Sequence, residues 1–467
     1  VFGAANINNS GTADNISVGV VTAPAYTNAV NDNTQMVNLE WTINEGTAGG
    51  SNISTEFQWL VGSEGIGFDR TSSVYHAHHN GTKYILRNTG ATFGSGPYIS
   101  ISTSNYTGNL SNQRFVVGNI NGILPCLQSF TAGDWNTASN WVDLVVPPTG
   151  SLVCLNHAMT ITTAGTPSPQ GITFNTGSSV SISAGNTLGV QTGGYIYNNS
   201  GATQTQSSGT INLEGTANIY GPNPISFYNL SLNGGATLTT VPTITNQLEL
   251  KAGGFVSAAP NYGSSSTLIY NTGAAYGRSN EWNATSGAGF PANVQITGGT
   301  TLDISNGSNT SRAISGNFTV DNGSSATMSS MTGNLTIPGN FTLNGGFTQS
   351  SAAGGDIVLA GNWNSGATAS FTHNNRDVRF NGTSGTQTIA NTASGLEFGY
   401  LTMDNTGTGV DLLNTITANT FRVNASRTFN LTSDKIIIAP GGDVLINGTF
   451  NANTGTLEYT DGGTFTN

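Results

Sequence analysis

Apolar residues fall along this chain in short alternating runs, each closed by Gly, Asn or Ser. Alternation with a period of two marks a half-buried β-strand, and the closing residues are those that tolerate the positive φ of tight turns. In residues 1–124 the runs are MVNLEWTI (36–43), EFQWL (56–60), KYIL (83–86), YISIST (98–103) and RFVV (114–117). Their spacing predicts an antiparallel β-sandwich that the chain leaves at ILP (123–125). From about residue 126 the beats shorten to GTINLEG (209–215), GNFTV (316–320), GNLTI (333–337), GNFTL (339–343) and DIVLAGNW (356–363). None of these can bury a face alone, but stacked as coils they form a continuous interior. A sustained 3.6-residue period is missing, so helices are not expected.

The expected fold is therefore all-β: an N-terminal antiparallel β-sandwich at 1–125, followed by a parallel β-helix (β-solenoid) at 126–467. At about 20 residues per coil this makes on the order of 16 coils. With strands about 4.8 Å apart the rod would be roughly 75–80 Å long. A larger array of β-sandwiches is the competing architecture.

One passage occurs twice. FYNLSLNGGATLTTVPTITNQLEL (227–250) and FGYLTMDNTGTGVDLLNTITANTFRV (398–423) share an aromatic start, three strands and a Gly-rich turn. TLIY (267–270) and TLEY (456–459) follow the copies in the same order. The copies start 171 residues apart, from 227 to 398, which is far more than one coil. The repeat is thus a multi-coil module, and the chain reads as one and a half modules of a longer protein, truncated within a further repeat.

Composition narrows the partners. Charged residues are 7% of the chain, the net charge is −11, and only 12 Lys and Arg are spread over 467 residues. Nucleic acid and anionic lipid both need clustered basic residues, so neither is expected. No apolar run approaches the roughly 20 residues of a membrane span. No signal peptide is visible at Val1, so the chain is taken as mature or cut from within a precursor. Scarce Lys with abundant Asn, Thr and Gly fits an extracellular protein. Cys126 and Cys154 flank the change in texture, and a disulfide between them would contribute roughly 3 kcal/mol. Two buried free thiols are the alternative.

GDWNTASNWVDLVVPPTGSLVCLNHAMTITTAG (133–165), with its two Trp and Val-Pro, resembles a module of the giant repetitive cell-surface proteins of Bacteroidota-type bacteria. YGRSNEWNATSGAGFPANVQITGGTTLDI (276–304) is similar to a second signature of those proteins. Residues 37–70 and RFVVGNINGILP (114–125) resemble the domain between their β-helical stretches. The resemblance implies export by type IX secretion and a role as surface adhesin, gliding-motility filament or fibre. It carries no catalytic residues. The partners it implies are neighbouring repeats of the same polypeptide, surface polysaccharide, or anchoring and motility machinery.

Several residue sets invite chemistry. His76, His78 and His79 in YHAHH suggest a metal, since residues two apart share a strand face, but a third ligand and its supports are missing from the sequence. Glu64, Asp69 and Arg70 among aromatics could contact carbohydrate or form an acid pair; the structural reading has Arg70 neutralising the acids beside Trp59 and Phe68. Asp303, Asp321, Asp356, Asp404, Asp411, Asp434, Asp443 and Asp461 are isolated and match no calcium loop, leaving binding at single Asp positions open.

Polysaccharide cleavage would require acids converging from adjacent coils. The densest candidate is Arg376-Asp377-x-Arg379, with Asp377 expected to face away from both arginines; Asp434-Lys435 is a second. Thr-x-Thr at 160–162, 237–239, 243–245 and 415–417 raises an ice-binding face, but at irregular spacing. Sequons at Asn198, Asn317, Asn340 and Asn381 follow from composition and leave glycosylation undecided. No cofactor and no metal are expected. The expected function is a non-catalytic, rigid segment of a secreted adhesin or filament. A polysaccharide-binding or -cleaving β-helix is the alternative, and an ice-binding solenoid the third.

Overall fold

The structure, a computed structural model, describes residues 3–22, 24, 30, 33–70, 74–79, 84–87, 91, 93, 98–107, 110–111, 113–123, 126–141, 144, 146–147, 149–163, 165–199, 208–460 and 464–466. Lys83 of the KYIL run, Leu124 and Pro125 of the expected exit, and Asp461 lie outside the described residues. The chain divides into two compact units, Val1–Leu127 and Gln128–Asn467.

The first unit consists of two antiparallel sheets. Strands Gly3–Asn9, Asn52–Leu60 and Tyr98–Thr107 form one. Ile16–Thr22, Met36–Glu45, Gln113–Asn119, Val74–His79 and Tyr84–Leu86 form the other. Along Asn52–Leu60 burial alternates strictly, so Ile53, Thr55, Phe57 and Trp59 point inward. They meet Trp41, Ile43, Phe115 and Val117 from the other sheet in one core. Aromatic contact closes it, with the rings of Trp41 and Phe57 4.8 Å apart and tilted by 43°.

The second unit is a parallel β-solenoid of about 15 turns. Its sheets of seven, fourteen and nine strands, with smaller sheets of three and five, are joined by short turns. Leu188, Ile211, Leu230, Leu248, Leu268, Val294, Phe318, Phe341, Trp363, Ile389 and Leu412 stand in direct register, one per rung. Each is no more than 1% exposed. Register this direct lets like pack on like: the rings of Phe318 and Phe341 are parallel within 1° at 5.6 Å, and Phe341 stacks on Trp363 at 4.5 Å. From Phe318 to Phe341 to Trp363 the chain advances 23 and then 22 residues, a little more than the coil length expected from the sequence.

The Gly-Asn beats have a physical cause. The side-chain carbonyl of Asn293 accepts the backbone N–H of Asn317, Asn317 that of Asn340, Asn340 that of Asn362, and Asn362 that of Thr388, at 2.8–2.9 Å. A ladder of side chains thus continues the backbone ladder around a corner where strands end, leaving no orphaned donor. The Gly before Asn340 and the Gly before Asn362 are needed for space. A Cβ on Gly339 would stand 2.6 Å from the Gly316 carbonyl carbon, and one on Gly361 would stand 2.1 Å from the Gly339 oxygen. Two of the sequon asparagines, Asn317 and Asn340, are rungs of this ladder.

The duplicated passage folds alike both times. Phe227 and Phe398 are fully buried, and Leu230, Leu232, Leu401 and Met403 follow them into the core. The strand register shifts between Phe227 and Asn229 in the first copy, whereas in the second the pairings of Phe398 and Tyr400 keep one register. The sheets differ, however. Ser226–Leu232 and Thr243–Leu250 belong to the fourteen-stranded sheet, whereas Glu397–Met403 and Ile416–Val423 belong to the nine-stranded one. What repeats is the coil, not its place among the sheets.

Cys126 and Cys154 are disulfide-bonded, and the chain has no free cysteine. Cys126 immediately precedes the strand Leu127–Gln128, and Cys154 lies on the neighbouring strand Leu152–Leu155 of the same sheet.

Candidate functional site

The histidines of YHAHH are packing residues. His76 is fully buried between Phe57 at 4.5 Å and Phe115 at 5.5 Å. Burial pushes its pKa down to about 3, with Arg87 and His78 adding to the effect, so the ring is neutral. His78 lies on the same strand face and bonds Gln113, the Tyr106 hydroxyl at 3.2 Å and the Arg87 guanidinium at 3.2 Å. A cation on His78 Nδ1 leaves no lone pair there for a metal. Among the described residues, no group of three or more His, Cys, Asp or Glu is placed to hold one.

Glu64 accepts hydrogen bonds from Trp59 Nε1 at 2.8 Å and from Arg70 Nε at 2.9 and 3.0 Å. Trp59 sets its edge on Phe68 at 6.3 Å. Asp69 is held through its backbone, whose N–H and C=O both bond the Asn119 side chain at 2.8 Å. The set fastens a loop to the ends of the strands that carry Trp59 and Asn119.

Sequence reasoning assigned no roles within YGRSNEW, yet this segment holds two deeply buried charges of the solenoid. Arg278 is 5% exposed and donates to the carbonyls of Ile304 at 2.6 Å, Trp282 at 2.9 Å, Ser305 at 3.0 Å and Ser279 at 3.3 Å. Fully buried Glu281 accepts from Ser279 N–H at 2.7 Å and the Tyr270 hydroxyl at 3.1 Å, while Tyr262 bonds its backbone carbonyl at 2.8 Å. Burial holds the Glu281 carboxyl above its ordinary range, and burial together with Glu281 raises Tyr262, Tyr270 and Tyr276.

The cluster sits where the solenoid changes its sheets. The seven-stranded sheet ends at Phe255–Val256, the five-stranded sheet starts at Ala275–Gly277, and the nine-stranded sheet starts at Arg312–Ala313. Backbone carbonyls without a next strand at this junction are bonded by the guanidinium instead. The available signal was an Arg and a Glu enclosed by Tyr and Trp in a chain almost free of charge.

A third polar set lies on the outward side of the nine-stranded sheet. Asp377 pairs in register with Tyr400 and then Thr420, and Arg379 pairs with Thr402 and then Arg422. Contrary to expectation, Asp377 and Arg379 share one face, being two apart on a strand whose Val378 and Phe380 point inward; only Arg376 alternates with Asp377. Arg379 stands 3.6 Å from Asp377 Oδ2, and the Thr402 hydroxyl donates to the same oxygen at 3.0 Å. Asp377 Oδ1 is buried without a partner, and burial pushes this carboxyl up. Asp356, one rung away, accepts the Asp377 backbone N–H at 2.9 Å. Arg422 lies over the Tyr400 ring, 4.9 Å from its centroid. The second charge pair, Asp434-Lys435, does not close on itself: Lys435 bonds Glu458 on the next rung at 2.6 Å.

The Thr-x-Thr motifs fall on four different sheets, on strands Ala158–Ile161, Gly235–Leu238, Thr243–Leu250 and Ile416–Val423, and do not line up as one array. Among the described residues no helix is long and apolar enough to cross a membrane. No family model, no curated protein and no solved structure matches the chain. Fold and side-chain geometry define its class, an all-β protein combining an antiparallel sheet region with a parallel β-solenoid.

Proposed function

We propose that this chain is a rigid, non-catalytic segment of a secreted cell-surface adhesin or filament that serves in attachment or gliding. The observation that supports this reading is the apolar column from Leu188 to Leu412, unbroken over eleven rungs and accompanied from Asn293 to Thr388 by the Asn ladder. Stacking of this kind gains core with every added coil and resists bending along its length. Its surface is nearly uncharged, with 7% charged residues, so long copies stay soluble without strong self-repulsion. Neighbouring repeats of the same polypeptide are the natural partners, and multiplied weak contacts along such a filament give attachment. Export by type IX secretion belongs to the same proposal.

Of the acids best placed for chemistry, Asp356 is engaged by a backbone N–H and Asp377 through Oδ2 by Thr402 and Arg379, its Oδ1 being buried. A hydrolytic pair needs one acid free to protonate and a second free to act as base or nucleophile. The test is antibody labelling of intact producing cells, combined with an assay for reducing ends released from polysaccharides. Surface-exposed, extended label without sugar release is expected. Label seen only after lysis, or release of reducing ends, would overturn the proposal.

A further inference from the structure

The outward strip on Asp377–Phe380, Glu397–Met403 and Ile416–Val423 carries chemistry that a rod does not need. We propose that it is a binding strip for a polysaccharide bearing carboxylate groups. This rests on the attachment reading above and names what the surface attaches to.

Three features point to that ligand. First, Arg379 and Arg422 occupy one outward column two rungs apart, about 9.6 Å at the usual strand spacing, with Thr402 between them. Lys and Arg number 12 in the whole chain, and Arg379 and Arg422 share this face. Second, Arg422 has no carboxylate at ion-pair distance among the described residues, its charge reaching Asp377 only at longer range, and it is stacked on Tyr400. Stacking holds the planar fork in place and leaves its edge for a bidentate carboxylate at little further entropy cost. Third, Asp377 Oδ1 is buried and unpartnered, although Asp356 in the equivalent position one rung earlier closes its hydrogen bond onto the next strand. A small turn of the Asp377 carboxylate brings this oxygen to a sugar hydroxyl, or to a water it fixes, as the missing donor.

The charge balance selects among anions. Asp356 and Asp377 stand beside the two arginines, and the chain as a whole is negative at −11. A dense polyanion such as nucleic acid is repelled by this mixture, while a sugar polymer with sparse carboxylates and many hydroxyls meets donors and acceptors in alternation. A neutral polymer leaves Arg422 without its counter-charge.

The test uses the full chain and two probes of identical backbone, polygalacturonate and its fully methyl-esterified form. Binding is measured by biolayer interferometry for wild type, Arg422→Ala, Arg422→Lys and Arg379→Ala, with Arg114→Ala in the other unit as control. The wild type is expected to bind polygalacturonate at low salt and the ester at least about tenfold more weakly. Arg422→Ala and Arg379→Ala should each lose about tenfold, Arg422→Lys should lose nearly as much despite its charge, and Arg114→Ala should match wild type. If one variant fails to fold by circular dichroism, the other two decide. Absence of wild-type binding, equal binding of the ester, or undiminished binding by the folded variants would overturn the strip. Surface labelling without uronate binding defeats this inference alone, whereas absence from the cell surface defeats the attachment reading.

Discussion

In the N-terminal unit Phe57 meets Trp41, His76 and Phe115 across two sheets, each partner coming from a different strand. In the solenoid Phe341 meets Phe318 and Trp363 from the rungs directly before and after it. Both rings are fully buried, so their transfer from water is worth much the same. What differs is who shares the benefit. The sandwich closes a finite core in which every strand depends on the rest, whereas the solenoid adds nearest-neighbour contacts rung by rung. Polar groups differ in the same way. The first unit buries histidines among aromatics, and the second buries Arg278 and Glu281 at one junction and satisfies its corners with asparagines.

The sharpest way to break this comparison is to remove the two rings. Phe57→Ala and Phe341→Ala should each cost about 3–5 kcal/mol. Hydrogen exchange should show Phe57→Ala loosening the whole first unit, and Phe341→Ala loosening the rungs near 318–363 while those near 188–230 stay protected. Loss of protection along the entire solenoid would refute the nearest-neighbour description.

Acid should separate the units next. The folded pKa of His76 lies near 3, below its ordinary 6.5, so the unfolded chain takes up a proton first as pH falls. Stability from this group is complete above pH 6.5 and declines by about 1.4 kcal/mol per pH unit below it, roughly 3 kcal/mol by pH 4. His78 is shifted in the same direction, again chiefly by burial. Glu281 has the opposite sign: its folded pKa is raised above the ordinary 4.5, so the folded form takes up the proton first. Acidification through that range adds stability through this group. Calorimetry at pH 7, 5.5 and 4 should show the sandwich transition falling further than the solenoid transition, with His76→Leu flattening the difference. Equal shifts would show that these buried groups do not govern acid response.

Smaller effects test the polar fittings. Arg278→Met removes donors from the Ile304, Trp282 and Ser305 carbonyls and should cost about 2–3 kcal/mol in urea unfolding, with exchange rising first near 275–313. Asn317→Ala orphans only the Asn340 N–H at a partly wetted corner and should cost about 1 kcal/mol. A loss as large as that of Phe341→Ala would mean the ladder, not the apolar column, holds the rungs together.

Much of this was legible locally. Alternation in EFQWL places Phe57 and Trp59 on the inner face, and the same rule, applied to Asp377 and Arg379, puts them on one face, two positions apart. The Gly-Asn beats were visible as turns, but which N–H each Asn accepts depends on the strand one coil later, 22–26 residues away. The junction at YGRSNEW was recognisable as a signature and silent as to role, because a guanidinium bonded to carbonyls has no sequence pattern of its own.

The sequence by itself determined the strand period, the turn positions, the division into two textures and the coil-sized beat, since these follow from side-chain alternation and from the backbone freedom of Gly and Asn. Only the tertiary structure decided register. Register put Leu188 in line with Leu412, set the two copies of the duplicated passage on different sheets, and brought Asp377, Arg379, Tyr400 and Arg422 into one strip. The reason is physical: a strand's own residues specify which faces are apolar, but which rung it meets is set by the length and turns of the coil between them.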